Sequence, residues 1–203
     1  MTPGEIAQHS PSKPAYIMAD SGEVVTYGEM EARANQGAHL FRKLGLKRGD
    51  HIAILLENHR EFLTLCWAAQ RAGLYYTAIS WRLQVEEVEY IVNNCEAQVF
   101  ITSIARLDVV SALAGKLPLV TDYFMLDGIA ERFESWETAT SSESTTPIAD
   151  EAEGAAMLYS SGTTGYPKGI KRPLVEGAYG DSDPLALLSA LYGATTDSIY
   201  LSP

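Results

Sequence analysis

The chain predicts an α/β fold: a doubly wound, mainly parallel sheet flanked by helices. Three observations carry this. Strand-like apolar runs alternate with helix-period segments through residues 1–134. The run His51 to Leu56 is almost wholly apolar, as a strand covered on both faces must be. The segments between strands are long enough for right-handed helical crossovers.

The elements follow in order. Residues 15–19 read as a strand, and Asp20-Ser21-Gly22-Glu23 as a turn leading into Val24 and Val25. Thr26-Tyr27-Gly28-Glu29 has capping-box spacing: the Thr26 hydroxyl takes a backbone N–H that Glu29 reciprocates. The helix it starts sets Met30, Ala34, Gly37, Ala38, Phe41 and Leu44 on one face and ends at Gly45. After His51 to Leu56, Asn58 with Glu61 repeats the N-cap signal for a helix carrying Phe62, Leu65, Cys66 and Ala69 up to Gly73. Residues 74–79 form the next strand, Val85 to Val92 a third helix, and residues 99–102 a further strand. A fourth helix through Val109, Val110 and Leu113 precedes a strand over 119–126. Residues 135–150, rich in Ser, Thr and Glu, read as a flexible surface connection and the one internal boundary. Beyond it, residues 151–203 hold a strand at 155–159, a Gly-rich loop, a polar and mobile stretch at 176–183, a short helix through Leu185, Leu188, Ser189 and Tyr192, and a last strand over 198–201.

Bulk properties exclude several classes. A length of 203 residues with 46% hydrophobic and 20% charged content suits a soluble globular core. A formal charge of −11, with basic residues scattered, argues against nucleic acid, whose phosphates call for clustered Lys and Arg. Cys66 and Cys95 have neither disulfide nor zinc spacing and read as buried small hydrophobes in a reducing, cytoplasmic compartment. The start of the chain lacks signal-peptide character, and the longest apolar stretch falls short of the ~20 residues of a spanning helix. Membrane contact would be at most peripheral. His9, His39, His51 and His59 share no ligand spacing or nucleophile partner. Trp67, Trp81, Tyr75 and Tyr76 read as core or subunit-contact residues, and Glu86, Glu87 and Glu89 as the solvated face of a helix.

The chemistry concentrates in residues 160–169, Ser-Ser-Gly-Thr-Thr-Gly-Tyr-Pro-Lys-Gly. Glycines allow backbone N–H groups to turn inward, while hydroxyls and an ammonium add donors, and a concave set of donors receives phosphate oxygens. In the Walker type the lysine opens a helix and is followed by Ser or Thr. Here Gly169 follows Lys168, and Pro173 closes off any helix, so a strand–loop–strand hairpin is the local expectation. A Ser/Thr/Gly-rich surface turn is the plain alternative.

This run resembles the signature loop of the adenylate-forming enzymes: acyl-CoA synthetases, firefly luciferase and the adenylation domains of peptide synthetases. The likeness extends through Thr26-Tyr27-Gly28-Glu29-Met30 with Arg33-Ala34-Asn35, Gly49 to Asn58, Arg71-Ala72-Gly73, Trp81-Arg82-Leu83 and Glu89-Tyr90-Ile91. Two positions depart: Ala78-Ile79-Ser80 stands where the family usually has Pro, an aliphatic and Asn, and Ser160 replaces a more usual Thr. The resemblance implies the amino-terminal portion of the acyl-CoA synthetase large domain, an incomplete piece whose adenine, Mg2+ and C-terminal lysine contacts, with the small C-terminal domain, lie outside residues 1–203. It implies a ligase that joins a carboxylic, fatty-type acid to coenzyme A at the expense of ATP and Mg2+, through an acyl adenylate. It assigns Ser160, Ser161, Gly162, Thr163, Thr164, Gly165 and Lys168 to the ATP phosphates, with Lys168 as the catalytic positive charge. The small-molecule substrates would be ATP, an acid and CoA. The fragment alone is expected to be inactive, and exposed sheet surface leaves a homodimer open. Two other readings stand beside it: an adenylation domain for amino or aryl acids, and a non-catalytic α/β module binding a partner or polyphosphate.

Overall fold

A computed structural model describes residues 2–160, 167–177, 179–180, 190–193, 195 and 198–200. In chain order the elements are α1 (Pro3–His9), β1 (Pro14–Ile17), β2 (Val24–Thr26), α2 (Tyr27–Lys43), β3 (His51–Leu56), α3 (Phe62–Arg71), β4 (Tyr75–Ser80), α4 (Val85–Asn94) and β5 (Val99–Ser103). After a 3-10 turn (Ile104–Arg106) come α5 (Leu107–Ser111), β6 (Asp122–Leu126), β7 (Glu134–Ser135), α6 (Trp136–Thr140), β8 (Ala155–Ala156), β9 (Leu158–Ser160) and β10 (Lys168–Ile170).

Six strands form one sheet in the order β7-β6-β5-β3-β4-β8, every neighbouring pair parallel. Two hydrophobic clusters cover its faces. Ile52, Ile54, Val99, Ile101 and Phe124 point toward α2, α3 and α6, while Ala53, Leu55, Phe100 and Met125 point toward α4 and α5. Alternate side chains thus serve opposite faces, which is why β3 is buried at all six positions. The doubly wound expectation holds.

Local chemistry explains the element ends. The capping box is present: Glu29 N–H donates to Thr26 Oγ1 at 3.2 Å, and Thr26 N–H donates to Glu29 Oε2 at 2.9 Å. Gly45 takes a φ of +87° just past the end of α2. Cys66 and Cys95 are buried free thiols, and burial pushes Cys66 up to about 12.

Four expectations are corrected. The N-cap of α3 is Glu61, not Asn58; the His59 ring supplies the local contact by accepting the Glu61 N–H through Nδ1 at 3.0 Å. The strand expected from 119 starts at Asp122, because residues 117–120 turn, leaving Leu119 half exposed. Residues 135–150 are no loose connection. Trp136 is buried against Phe41 and Phe124, and α2 side chains hold the backbone beyond it: Asn35 Nδ2 donates to Thr145 O at 2.8 Å and Gln36 Nε2 to Glu143 O at 3.3 Å. Residues 198–200 form no strand, and Ser198 N–H donates to Thr195 O at 3.1 Å; Leu201, the end of the expected strand, lies outside the described residues. Of the helix expected through Leu185, Leu188, Ser189 and Tyr192, only 190–192 are described, as helical.

Candidate phosphate-loop site

The expected strand at 155–159 is two strands. Ala155 and Ala156 extend the parallel sheet beside β4, and then the chain leaves it at Met157. Leu158 to Ser160 pair instead with Lys168 to Ile170 in an antiparallel hairpin. The run is therefore not buried throughout: Leu158 is half exposed. Glycine permits the approach at the start of this path. A Cβ on Gly154 would lie 2.4 Å from Leu74 O, a clash with backbone that only glycine avoids.

In this hairpin Ser160 stands directly opposite Lys168. Both are exposed, and together they bring a hydroxyl and an ammonium to the two stems that flank the intervening run. No ion pair or hydrogen bond among the described residues engages the Lys168 ammonium. Ser161, Gly162, Thr163, Thr164 and Gly165 lie outside the described residues. Lys168 opens a strand, and 171–175 form no helix, which separates the arrangement from a Walker loop.

The stems are tied down by aromatic side chains. Tyr159 donates its hydroxyl to Asn94 Oδ1 at the end of α4, at 2.6 Å, and burial raises its pKa. Gly169 lies against the same ring: a Cβ there would be 2.9 Å from Tyr159 Cζ and 2.6 Å from Met157 Cε. Met157 N–H donates to Tyr76 O at 2.9 Å, fixing where the chain departs from the sheet.

A second cluster, whose Glu57 and Trp81-Arg82 the sequence marked only as part of the family likeness, sits at the carboxyl ends of the strands. The sheet order reverses between β3 and β5, and open α/β sheets bind ligands at such a switch point. Just past β3, Glu57 accepts from Ser103 Oγ at 2.7 Å, and Arg106 Nε lies 3.9 Å from the same carboxylate, buried with no hydrogen-bond partner among the described residues. The Trp81 ring, 38% exposed and so not a core residue, receives two guanidiniums, with Arg82 Cζ at 5.0 Å and Arg106 Cζ at 5.4 Å from its centroid. The signal available in the sequence was an arginine beside an aromatic in a loop between strand and helix; Arg106 is 25 residues further on and had no local pattern to reveal it.

The described residues thus make an α/β protein with a parallel, doubly wound sheet and an antiparallel β9–β10 hairpin beside it. The AMP-binding enzyme family matches residues 5–173, and the chain belongs to that family. The long-chain-fatty-acid–CoA ligase FadD13 of Mycobacterium tuberculosis is 33% identical over 164 residues, covering 79% of this chain and 32% of that protein. The long-chain-fatty-acid–CoA ligase of Thermus thermophilus is 33% identical over 153 residues, covering 74% and 28%. A linear gramicidin synthase of Brevibacillus parabrevis is 28% identical over 170 residues, covering 82% and 3%. Among solved structures, the N-terminal domain of FACL13 from Mycobacterium tuberculosis superposes with a TM-score of 0.73 at 30% identity, covering 83% of this chain and 42% of that one. The chain spans about a third of the length of the fatty-acid ligases it matches.

Proposed function

We propose that the chain supplies the phosphate-loop portion of an AMP-forming acid–thiol ligase that activates a fatty-type carboxylic acid and passes it to coenzyme A. The observation that carries this is the Ser160–Lys168 pair, which sets an exposed ammonium and a hydroxyl at the two stems of a run matching the family signature. The reaction brings a carboxylate to the α-phosphorus of ATP while the bond to pyrophosphate breaks. The CoA thiol then displaces AMP from the acyl carbon. Both anions and the departing pyrophosphate call for fixed donors. Ser160, Ser161, Thr163 and Thr164 would offer hydroxyl or backbone donors to the β- and γ-phosphates, Gly162 and Gly165 would permit the turn, and Lys168 would follow the charge as it moves.

The residues present fit a polyphosphate, since the Lys168 ammonium is exposed and makes no ion pair or hydrogen bond among the described residues. Mg2+ would arrive with the triphosphate: among the described residues no group of three His, Cys, Asp or Glu side chains could hold it. The Trp81, Arg82 and Arg106 cluster has the chemistry to receive a planar base with phosphates, as coenzyme A carries. Residues 151–203 would begin the subdomain that follows the sheet. Among the described residues no helix is long and apolar enough to cross a membrane.

The likeness to the gramicidin synthase favours a second reading, activation of an amino acid for a carrier protein, at lower identity than the fatty-acid ligases show. The test is acid-dependent exchange of labelled pyrophosphate into ATP, offered fatty acids and amino acids in parallel. Residues 1–203 alone should give none; a chain extended to the relatives' length should give exchange with a fatty acid and lose it on Lys168→Ala. Exchange with amino acids only would select the second reading, and exchange unaffected by Lys168→Ala would remove the lysine.

A further inference from the structure

A two-stranded hairpin is marginal by itself in water, so the three-residue pair β9–β10 needs anchors from outside. Immediately after β10 the chain makes an unusual one. Lys171 Nζ lies 2.8 Å from His51 Nε2 and 4.6 Å from the centroid of the Tyr75 ring. His51 and Tyr75 are the first residues of β3 and β4, paired in register, with rings stacked at 4.7 Å and 28°. The next residue joins in: Tyr75 donates its hydroxyl to Arg172 O at 2.6 Å.

The imidazole is an expensive choice at this place. An ammonium only donates, so His51 Nε2 must accept and the ring proton sits on Nδ1. Nδ1 is buried with no hydrogen-bond partner among the described residues, and His51 is 6% exposed at the head of a strand otherwise built from Ile, Ala and Leu. An apolar ring would pack and stack there without the orphaned N–H. What only the imidazole gives is the Nε2 acceptor, and that acceptor is used by Lys171.

We infer that Lys171 and His51 form a positioning clasp, stacked on Tyr75, that holds the Lys168-bearing strand in register against the amino ends of β3 and β4. The clasp acts through the hairpin and does not touch the phosphates; its consequence for affinity rests on the phosphate-loop reading above. Only Gly169 and Ile170 separate Lys168 from Lys171, so a slip at the clasp displaces the stem on which the Lys168 ammonium stands. Neither clasp residue belongs to the signature run.

Two variants remove the contact from either side: Lys171→Met keeps the stem without the charge, and His51→Phe keeps the stack without the acceptor. Three readouts apply to the 203-residue chain. Imidazole nitrogen NMR should show the Nδ1–H tautomer for His51, and Lys171→Met should shift it toward Nε2–H. Amide exchange in β10 should quicken by about tenfold in both variants while the amides of β3 stay protected. MgATP affinity should weaken by about tenfold in both, with the melting temperature of Lys171→Met unchanged. An unaltered tautomer together with unaltered β10 exchange in Lys171→Met would overturn the clasp. So would wild-type MgATP affinity in both variants when Lys168→Ala lowers it by about tenfold. If the wild type binds no MgATP while the tautomer and exchange respond as stated, the phosphate-loop reading fails and the clasp stands.

Discussion

Glu31 grips Arg71 through two hydrogen bonds, Nη1 to Oε1 at 2.9 Å and Nη2 to Oε2 at 2.5 Å, locking α2 to the last residue of α3. Arg71 is 1% exposed, so its guanidinium has given up nearly all its water for this carboxylate and for Glu151, 3.6 Å away. Burial of a charge is tolerated only while its partner remains.

Removing the partner should therefore be costly. Glu31→Ala leaves a buried cation with only the longer Glu151 contact and the Tyr179 ring, 5.4 Å away, and the expected loss is about 3–5 kcal/mol in urea unfolding. Adding Arg71→Met to that variant should return more than half of the loss, because the uncompensated charge goes with it. A double variant as unstable as Glu31→Ala alone would show that the packing of the arginine stem, not its charge, holds this junction.

The second expectation concerns residues 135–150. Trp136 fills the space between Phe41 and Phe124, with ring centroids at 5.7 and 5.5 Å, and Gly37 leaves room for its edge. Trp136→Ala should cost about 3–5 kcal/mol, as a large buried ring does. It should also speed proteolysis near Glu143 and Thr145, whose carbonyls α2 now holds. A loss below about 1 kcal/mol, in the range of surface substitutions, would return this segment to the status of a loose linker.

The third concerns the hairpin. Lys168 is exposed and makes no ion pair among the described residues, so Lys168→Ala should leave thermal stability within about 0.5 kcal/mol. MgATP affinity, measured by titration calorimetry, should fall by about tenfold, the loss of one charge-assisted contact. An equal drop in Lys168→Arg would argue for the shape of the ammonium; retained affinity there would argue for charge alone.

What the sequence made legible was local or periodic. Thr26 and Glu29 are three residues apart and cap α2; the unbroken apolar run of β3 announced a strand covered twice; Gly169 and Pro173 ruled out a helix after Lys168. What it hid depended on contacts made at a distance. The Ser/Thr/Glu composition of 135–150 averaged away the one tryptophan that docks it. Trp81 read as a core or subunit-contact residue; Arg106, brought to it by the turn after β5, gives it a second guanidinium. His51 and Lys171 are 120 residues apart, and no pattern in either neighbourhood couples them.

That pair gives the last expectation, a pH dependence. Burial first, and then the Lys171 ammonium, lower the His51 pKa from 6.5 to about 4. Glu96 and Asp50 pull the other way but do not prevail. Above pH 6.5 the ring is neutral both folded and unfolded, and its contribution to stability is complete. As the pH falls from 6.5 toward 4, the unfolded chain takes up a proton that the folded chain refuses, so stability drains away; below 4 both forms are protonated and the loss is finished. The full loss is on the order of 3 kcal/mol. Carboxylates titrate in the same acid range, so the quantity to measure is the wild-type stability minus that of His51→Phe, from urea unfolding at steps between pH 7.5 and 3.5. That difference should decline through the window and then level off. Lys171→Met should narrow the window by letting the ring keep its proton to higher pH. Parallel wild-type and His51→Phe curves from pH 6.5 to 4 would mean that the imidazole is not held neutral by the fold, and that Lys171 does not face it in solution.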